Sequence, residues 1–264
     1  MATYVMSDIH GCYTEFQEML KKIGFDGEKD ELIIAGDIVD RGNENYEMLE
    51  YAVSEPSGVT FLMGNHDRDF INYVNRIDRL YASGFIPEDV DLPTLVSDPA
   101  YSRIYDACII DQYDTLYKLI TDSQKPADRE DLRRWAGHLS KFSYYVRREM
   151  NGRSYIIVHA GYISEKEFER YRRSGGELRD DIREFYVWAR EEGLKHGEGG
   201  STVIFGHTPT IALHTFYNHG KVWIKKKGKK RFINIDCGCV FLPLDPDSNL
   251  ACIRLDDEKV FYLR

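Results

Sequence analysis

The 264-residue sequence has few cysteines and no long hydrophobic run. Its five cysteines are odd in number and dispersed, which excludes a disulfide framework and a zinc site built from paired Cys-x-x-Cys motifs; they are Cys12, Cys108, Cys237, Cys239 and Cys252. No stretch approaches the roughly eighteen apolar residues of a membrane span, and the N-terminus lacks the basic and apolar regions of a signal peptide. We therefore expect a cytoplasmic protein with reduced thiols and no membrane partner.

Basic residues are outnumbered by acidic ones, since the chain has 35 Lys and Arg and 44 Asp and Glu, which gives a formal net charge of −9. This balance argues against a dedicated nucleic-acid binder, which needs a positive face. The one basic run, 225–231, contains Gly228 and lies between two apolar segments, so it predicts a solvated hairpin tip. Hydrophobic residues make up 42% and charged residues 30%, which is typical of a globular chain able to fold without a disulfide or metal.

Three apolar runs with the character of β-strands each end in a cluster of Gly, Asp and His. Thr3–Met6 precedes SDIHG, residues 31–35 precede GDIVDRG, and residues 59–63 precede GNHD. Helical spacing of apolar residues over Tyr13–Ile23 and 44–53 separates these runs. The alternation predicts a parallel sheet covered by helices, with the polar clusters at the strand ends where open α/β sheets bind their ligands.

The remaining chain predicts a helical insert followed by a second, β-rich half. Residues 68–140 have helical spacing interrupted by prolines, and Asn151-Gly152 predicts a hairpin turn between two apolar runs. We expect a helical stretch over 165–192 and further strands at 142–149, 154–159, 202–206, 211–216, 221–226, 231–236 and 250–262. These strands predict a second sheet that packs face to face with the first.

Five glycine-containing clusters at strand ends carry the side chains that could hold metal ions. Each cluster alone is more typical of an ordinary turn than of a ligand set. Together they supply Asp8, His10, Asp37, Asn65, His159 and His207. Oxygen and imidazole ligands without thiolates suit two adjacent divalent ions such as manganese, iron or zinc, and Asp37 is well placed to bridge them.

The motifs GDIVDRG, GNHD, VHAG and GHTP, with NIDCG near the C-terminus, resemble the calcineurin-like metallophosphoesterase superfamily. Within it they resemble the phosphoprotein phosphatase family, including its short bacterial and bacteriophage members. The resemblance implies an α/β fold of four layers, α-β-β-α, in which helices flank two packed mixed sheets. It further implies one catalytic domain over 1–264 with a helical insert at about 68–140.

The same resemblance assigns roles to individual residues. Asp8 and His10 would hold the first metal, Asp37 would bridge, and Asn65, His159 and His207 would hold the second. His66 would be the general acid, Asp40 would orient it, and Arg41 would bind phosphate. Arg190 is the expected second phosphate ligand because it follows Trp188 by two positions. Asp67 replaces a glutamate common in eukaryotic members and could pair with Arg41. Other nearby arginines remain alternatives to Arg190: Arg170, Arg172, Arg173, Arg179 and Arg183.

The expected reaction is hydrolysis of a phosphate ester by a hydroxide held between two divalent ions, manganese being the first choice. His66 would protonate the leaving oxygen. The leading substrate is phosphoserine or phosphothreonine in a protein or peptide, with small phosphate esters also possible. The alternative is symmetrical hydrolysis of diadenosine tetraphosphate, because such hydrolases share these motifs. Pro209 stands where nucleases of the superfamily have a second histidine, which disfavours that class. The sequence leaves the oligomeric state open.

Overall fold

Two five-stranded mixed sheets form the centre of the computed structural model, which describes residues 1–108, 113–178, 180–212 and 215–264. The first sheet consists of β1 (Thr3–Met6), β2 (Glu31–Ile34), β3 (Val59–Phe61), β9 (Leu250–Arg254) and β10 (Lys259–Leu263). Its order is β10-β9-β1-β2-β3, with β1, β2 and β3 parallel and the other two pairings antiparallel.

The second sheet has the order β4-β5-β6-β8-β7, and its three central strands are parallel. Its strands are β4 (Tyr145–Met150), β5 (Arg153–Val158), β6 (Ser201–Phe205), β7 (Trp223–Lys227) and β8 (Lys230–Asn234). Both predicted hairpin tips form, since Asn151-Gly152 connects β4 to β5 and Gly228-Lys229 connects β7 to β8. Positive φ angles at Asn151 and Gly152 explain why this dipeptide occupies the first turn.

Nine α-helices lie outside the sheets in the described part of the chain. They are α1 (Tyr13–Ile23), α2 (Asn45–Val53), α3 (Asn65–Ala82), α4 (Leu92–Ser97), α5 (Ser102–Cys108), α6 (Thr115–Thr121), α7 (Arg129–Leu139), α8 (Glu165–Arg173) and α9 (Ile182–Trp188). The described residues between β3 and β4 thus form a helical insert, which starts at Asn65 rather than at 68. Within the described residues, no helix combines the length and apolarity needed to cross a membrane.

Strand alternation divides the buried side chains into three layers of core. Met6 and Ile34 pack with α1, α2 and α3, whereas the intervening Val5 and Ile33 face the second sheet. In the second sheet, Ile157 faces the first sheet and Val158 packs with α8 and α9. Helices, sheet, sheet and helices therefore form the predicted four-layer α/β sandwich.

Three predicted elements differ from the structure. The helical stretch over 165–192 is broken into α8 and α9, with Gly175 and Gly176 between them. The strand over 250–262 is a hairpin, because residues 255–258 turn between β9 and β10. The prediction of a strand over 211–216 is wrong for residues 211, 212, 215 and 216, which form turns. Residues 213–214 lie outside the described residues. Its apolar pattern reflects single anchors such as the buried Phe216, which packs on Phe205 and Trp223.

Candidate active site

The predicted site residues converge at the carboxyl ends of strands from both sheets. Asp8 and His10 follow β1, and Asp37 follows β2. Asn65 and His66 begin α3, while His159 and His207 follow β5 and β6. Six of the eleven described non-glycine residues with positive φ belong to this set: Asp8, His10, Asp37, Asp40, Arg41 and His207. Such backbone strain concentrates at functional sites, where surrounding packing holds it in place.

The Asp37 carboxylate lies at the centre of the cluster. Its Oδ2 is 3.6 Å from Nε2 of His10 and 3.3 Å from Nε2 of His159. Its Oδ1 accepts the backbone N–H of His66 at 3.0 Å. Two groups of buried side chains in the described chain could hold an ion, and both contain Asp37: one with His10 and His66, the other with His159 and His207.

Hydrogen bonds fix the imidazole tautomers so that lone pairs point inward. Nδ1 of His10 donates to the Val39 carbonyl at 2.8 Å, and Nδ1 of His159 donates to the Ala35 carbonyl at 2.9 Å. In each ring Nε2 is then left with its lone pair. Nε2 of His159 faces Asn65 Oδ1 at 3.0 Å, and the same oxygen lies 2.9 Å from His207 Nδ1.

This arrangement fits a divalent cation. With neutral imidazoles, Nε2 of His159 and the oxygens of Asp37 and Asn65 are all acceptors, and such atoms repel unless a proton or cation lies among them. Burial lowers the pKa of His159, but the Asp37 carboxylate outweighs it and raises that pKa to about 10. The same negative potential that holds a proton here would hold a metal ion.

Asp8 occupies a different position from the other predicted ligands. Both of its oxygens accept the backbone N–H of His207 at 3.0 Å, and neither belongs to the two ligand groups above. Its role as a ligand therefore stays a prediction. Burial and the nearby Asp37 raise the pKa of Asp8 to about 6, against the opposing effect of His159.

Two glycines in the motifs are required by close approach of the carboxylates. A Cβ at Gly64 would lie 2.1 Å from Asp37 Oδ1, and a Cβ at Gly206 would lie 1.9 Å from Asp8 Oδ2. Neither distance is compatible with a side chain. The glycines of GNHD and GHTP thus allow the carboxylates of Asp37 and Asp8 to lie against the backbone.

His66 and Asp40, which are predicted to be a general acid and its orienting partner, are hydrogen-bonded to each other. Nδ1 of His66 donates to Asp40 Oδ2 at 2.7 Å, which directs Nε2 towards the cluster. The other oxygen of Asp40 accepts the hydroxyl of Thr115, from helix α6 of the insert, at 2.5 Å. Burial lowers the pKa of His66, but Asp37 and the hydrogen bond to Asp40 outweigh burial and raise it overall.

Arg41 and Arg190 line one cavity of about 440 Å³ beside His207. Arg41 donates to Nε2 of both His10 and His66, at 2.5 and 2.9 Å. Arg190 donates to the Thr208 hydroxyl at 2.7 Å. Two alternatives to Arg190 have acidic partners, because Arg172 pairs with Glu169 and Arg183 pairs with Asp181. Arg170 and Arg173 lie exposed on α8, and Arg179 lies outside the described residues.

The suggested pairing of Asp67 with Arg41 is wrong. Asp67 is fully buried, and its oxygens accept the backbone N–H groups of Asp37, Ile38 and Gly64 at 2.9–3.0 Å. It therefore holds the strained Asp37 loop against the start of α3. The local sequence offered a signal for this role, since an acidic residue three positions after a helix cap commonly accepts backbone N–H groups there. Thr115 had no such signal, because it comes from a distant part of the chain.

Comparison with known proteins identifies the class. The family model for calcineurin-like phosphoesterases matches residues 1–234, so the chain belongs to this family and is a metallophosphoesterase, a hydrolase. The fold is shared with a protein serine/threonine phosphatase from Saccharomyces cerevisiae, at a TM-score of 0.53 and 15% identity over all of this chain and 79% of that one.

Curated relatives carry a more specific name. The symmetrical bis(5'-nucleosyl)-tetraphosphatase of Marinomonas sp. is 23% identical to this chain, over 99% of the chain and 96% of the relative. The enzyme of the same name from Haemophilus ducreyi is 35% identical over 115 residues. That match covers 39% of this chain and 43% of the relative, so the chain spans less than half of the Haemophilus enzyme.

Proposed function

We propose that this metallophosphoesterase hydrolyses dinucleoside polyphosphates symmetrically, with diadenosine tetraphosphate giving two molecules of ADP. The observation that carries the proposal is the similarity to a symmetrical tetraphosphatase along nearly the whole chain. The similarity to a protein phosphatase is one of fold, at 15% identity, and favours no substrate. The sequence motifs favour a phosphoprotein substrate over the dinucleotide. The curated relatives support the dinucleotide instead.

We assign the metal centre to His10, Asp37, Asn65, His159 and His207, with Asp8 as a further ligand. When bound, two divalent cations supply Lewis-acid chemistry, drawing charge from phosphoryl oxygens and making water acidic enough to attack phosphorus. Manganese remains our first choice of metal, although a ligand set of oxygen atoms and imidazoles also accepts iron or zinc. The backbone bonds that orient His10 and His159 would keep the ligand atoms in place before the metal arrives.

Arg41 and Arg190 would bind the non-bridging oxygens on either side of the bond that breaks. A guanidinium binds two phosphate oxygens at once, and both groups face the same cavity. The phosphate would also draw Arg41 away from Nε2 of His66, where it donates in the structure. Nε2 of His66 would then take up a proton from solvent, which makes the ring the imidazolium that can act as the acid.

His66 would give the Nε2 proton to the leaving phosphate oxygen as the central P–O bond breaks. Asp40 accepts the Nδ1–H and so favours the charged imidazolium that donates the proton. The attacking water would add to phosphorus and release a proton to solvent, and solvent would return a proton to Nε2 of His66. One water is consumed, and each half of the substrate leaves as ADP, which balances the reaction.

The test is a side-by-side product assay with manganese-loaded protein. One arm contains diadenosine tetraphosphate and the other a phosphothreonine peptide, each with a chelator control. We expect ADP as the sole nucleotide product and little phosphate from the peptide. In water enriched with ¹⁸O, one of the two ADP molecules should carry the label on its terminal phosphate. ATP plus AMP, or faster release of phosphate from the peptide, would refute the proposal.

A further inference from the structure

We propose that the cavity beside the metal centre is a binding site for a purine base, and we call it the side cleft. Its lining includes Arg41, Arg190 and His207, together with Tyr113, Phe241 and Leu244. The inference rests on the proposed function, because it names the part of the dinucleotide that this cleft would recognise.

The apolar part of the side cleft lacks the packing that its residue types normally have. Leu244 is 83% exposed, and Phe241 is half-buried. In the part of the chain that the structure describes, neither belongs to, nor packs against, any of the three hydrophobic clusters. Exposed apolar side chains grouped at the edge of a site commonly mark a ligand contact.

The segment carrying Phe241 and Leu244 comes directly after a motif that is held by buried hydrogen bonds. It follows the NIDCG motif, in which Asn234 donates to the Thr208 carbonyl at 2.8 Å and Asp236 accepts the N–H of Gly238 at 3.0 Å. The N–H of Leu244 then donates to the Phe241 carbonyl at 2.8 Å. The motif therefore fixes an apolar surface next to the loop that carries His207, which gives it a role that metal binding does not explain.

The mixture of groups suits a flat heteroaromatic ring. Aromatic side chains and guanidinium planes are the surfaces on which nucleic-acid bases stack. Tyr113 and Phe241 supply the rings, while Arg41 and Arg190 supply guanidinium groups. A volume of about 440 Å³ is within the range of small-ligand sites. The arginines that would bind the phosphates line the same cavity as the rings, so the base and phosphate sites are continuous.

The test compares two ligands that differ only in the nucleoside. Calorimetric titration of manganese-loaded protein with ADP and with pyrophosphate measures what the adenosine contributes to affinity. We expect wild-type protein to bind ADP roughly tenfold more tightly, as stacking of one base implies. Phe241→Leu and Leu244→Ser should each reduce this preference severalfold while the affinity for pyrophosphate stays unchanged. Phe85→Leu is the matched control, because Phe85 is an exposed phenyl group in the insert outside the side cleft.

The outcomes separate this inference from the proposed function. Equal affinities of wild-type protein for ADP and pyrophosphate would overturn the base site, as would a preference that survives in both variants. If the variants instead raise KM for a phosphothreonine peptide without affecting ADP, the cleft binds peptide and the proposal is refuted. Loss of the ADP preference in the variants, with no hydrolysis of diadenosine tetraphosphate by wild type, would keep the base site and reject the substrate.

Discussion

Asp37 is the residue on which the candidate metal centre depends most. Its carboxylate is within 3.3–3.9 Å of three imidazoles, and it occurs in both groups of potential ligands. Burial would raise its pKa, but His159 and His66 outweigh burial and hold the pKa well below the ordinary value. The negative charge is therefore present throughout the physiological range and available to a cation.

Asp37→Asn should abolish stoichiometric metal binding and nearly all hydrolysis, because a neutral amide of the same size replaces the shared charge. Elemental analysis after gel filtration measures the bound metal, and circular dichroism checks that the variant is folded. Asp26→Asn, at a carboxylate whose side chain is 42% exposed, is the control and should leave metal content unchanged. A folded Asp37→Asn protein with two bound metals would refute the bridging assignment.

The contribution of His66 to the rate of hydrolysis should increase as the leaving group becomes poorer. Its Nε2 is directed towards the cluster by the bond from Nδ1 to Asp40, as a proton donor requires. His66→Asn should slow hydrolysis of alkyl phosphates by roughly 10²–10⁴-fold and affect p-nitrophenyl phosphate far less, because p-nitrophenolate leaves without a proton. Metal content should remain normal. Equal losses on both substrates would contradict the general-acid role.

The sequence indicated which polar side chains would lie together better than it indicated what holds them in place. The clusters at strand ends indicated His10, Asp37 and His159 because the residue type alone shows which side chains can bind a metal ion. The positive φ angles at His10 and Asp37 depend on tertiary packing, which no local pattern encodes. The pairing of Asp67 with Arg41 was wrong because Asp67 accepts backbone N–H groups of two separate loops, and only its bond to Gly64 has a local signal.

At the scale of secondary structure, helix α6 connects the insert to the acid pair. Thr115 is its first residue, and the hydroxyl donates to Asp40 Oδ1 in a buried site. This bond leaves Oδ2 of Asp40 to accept from His66. The insert therefore contributes to the orientation of His66 through Asp40.

Thr115→Val should lower kcat about tenfold on substrates with poor leaving groups, because a hydrogen bond to a buried carboxylate is lost while shape is kept. Thr115→Ser retains the hydroxyl and should recover most of the rate. The dependence of log kcat on leaving-group pKa across a series of aryl phosphates is the measurement. A serine variant as slow as the valine variant, or a loss independent of the leaving group, would show that Thr115 acts only through packing.

The elements that could be predicted are those with a local cause. The hairpin at Asn151-Gly152 follows from two adjacent residues that adopt positive φ. The division of residues 250–262 into β9 and β10 was missed, since Asp256, Asp257 and Glu258 form a turn without glycine or proline. The start of α3 at Asn65 was also missed, because its first turn is stabilised by the contact of Asp67 with the β2 loop.

At the scale of the whole molecule, the candidate metal centre joins the two sheets. His159 follows β5 of the second sheet and donates to Ala35, which follows β2 of the first. The backbone of His207, after β6, donates to Asp8, after β1. Ligands from both sheets would therefore share the same ions, so metal binding should stabilise the entire sandwich and not one loop.

This coupling predicts how the stabilisation by metal depends on pH. The pKa of His159 in the folded, metal-free protein is raised to about 10, above the unfolded value of 6.5, because Asp37 outweighs the opposing effect of burial. The protonated His159 contributes fully to the stability of the folded protein below pH 6.5. This contribution is lost as the pH rises towards 10, by up to about 2 kcal/mol between pH 6 and 8.

A bound metal ion takes the place of the proton on His159. The rise in Tm on adding Mn²⁺ should therefore be larger at pH 8 than at pH 6, as measured by calorimetry with and without chelator. His159→Asn should remove most of this difference, whereas an equal rise in wild-type Tm at both pH values would contradict metal binding at His159.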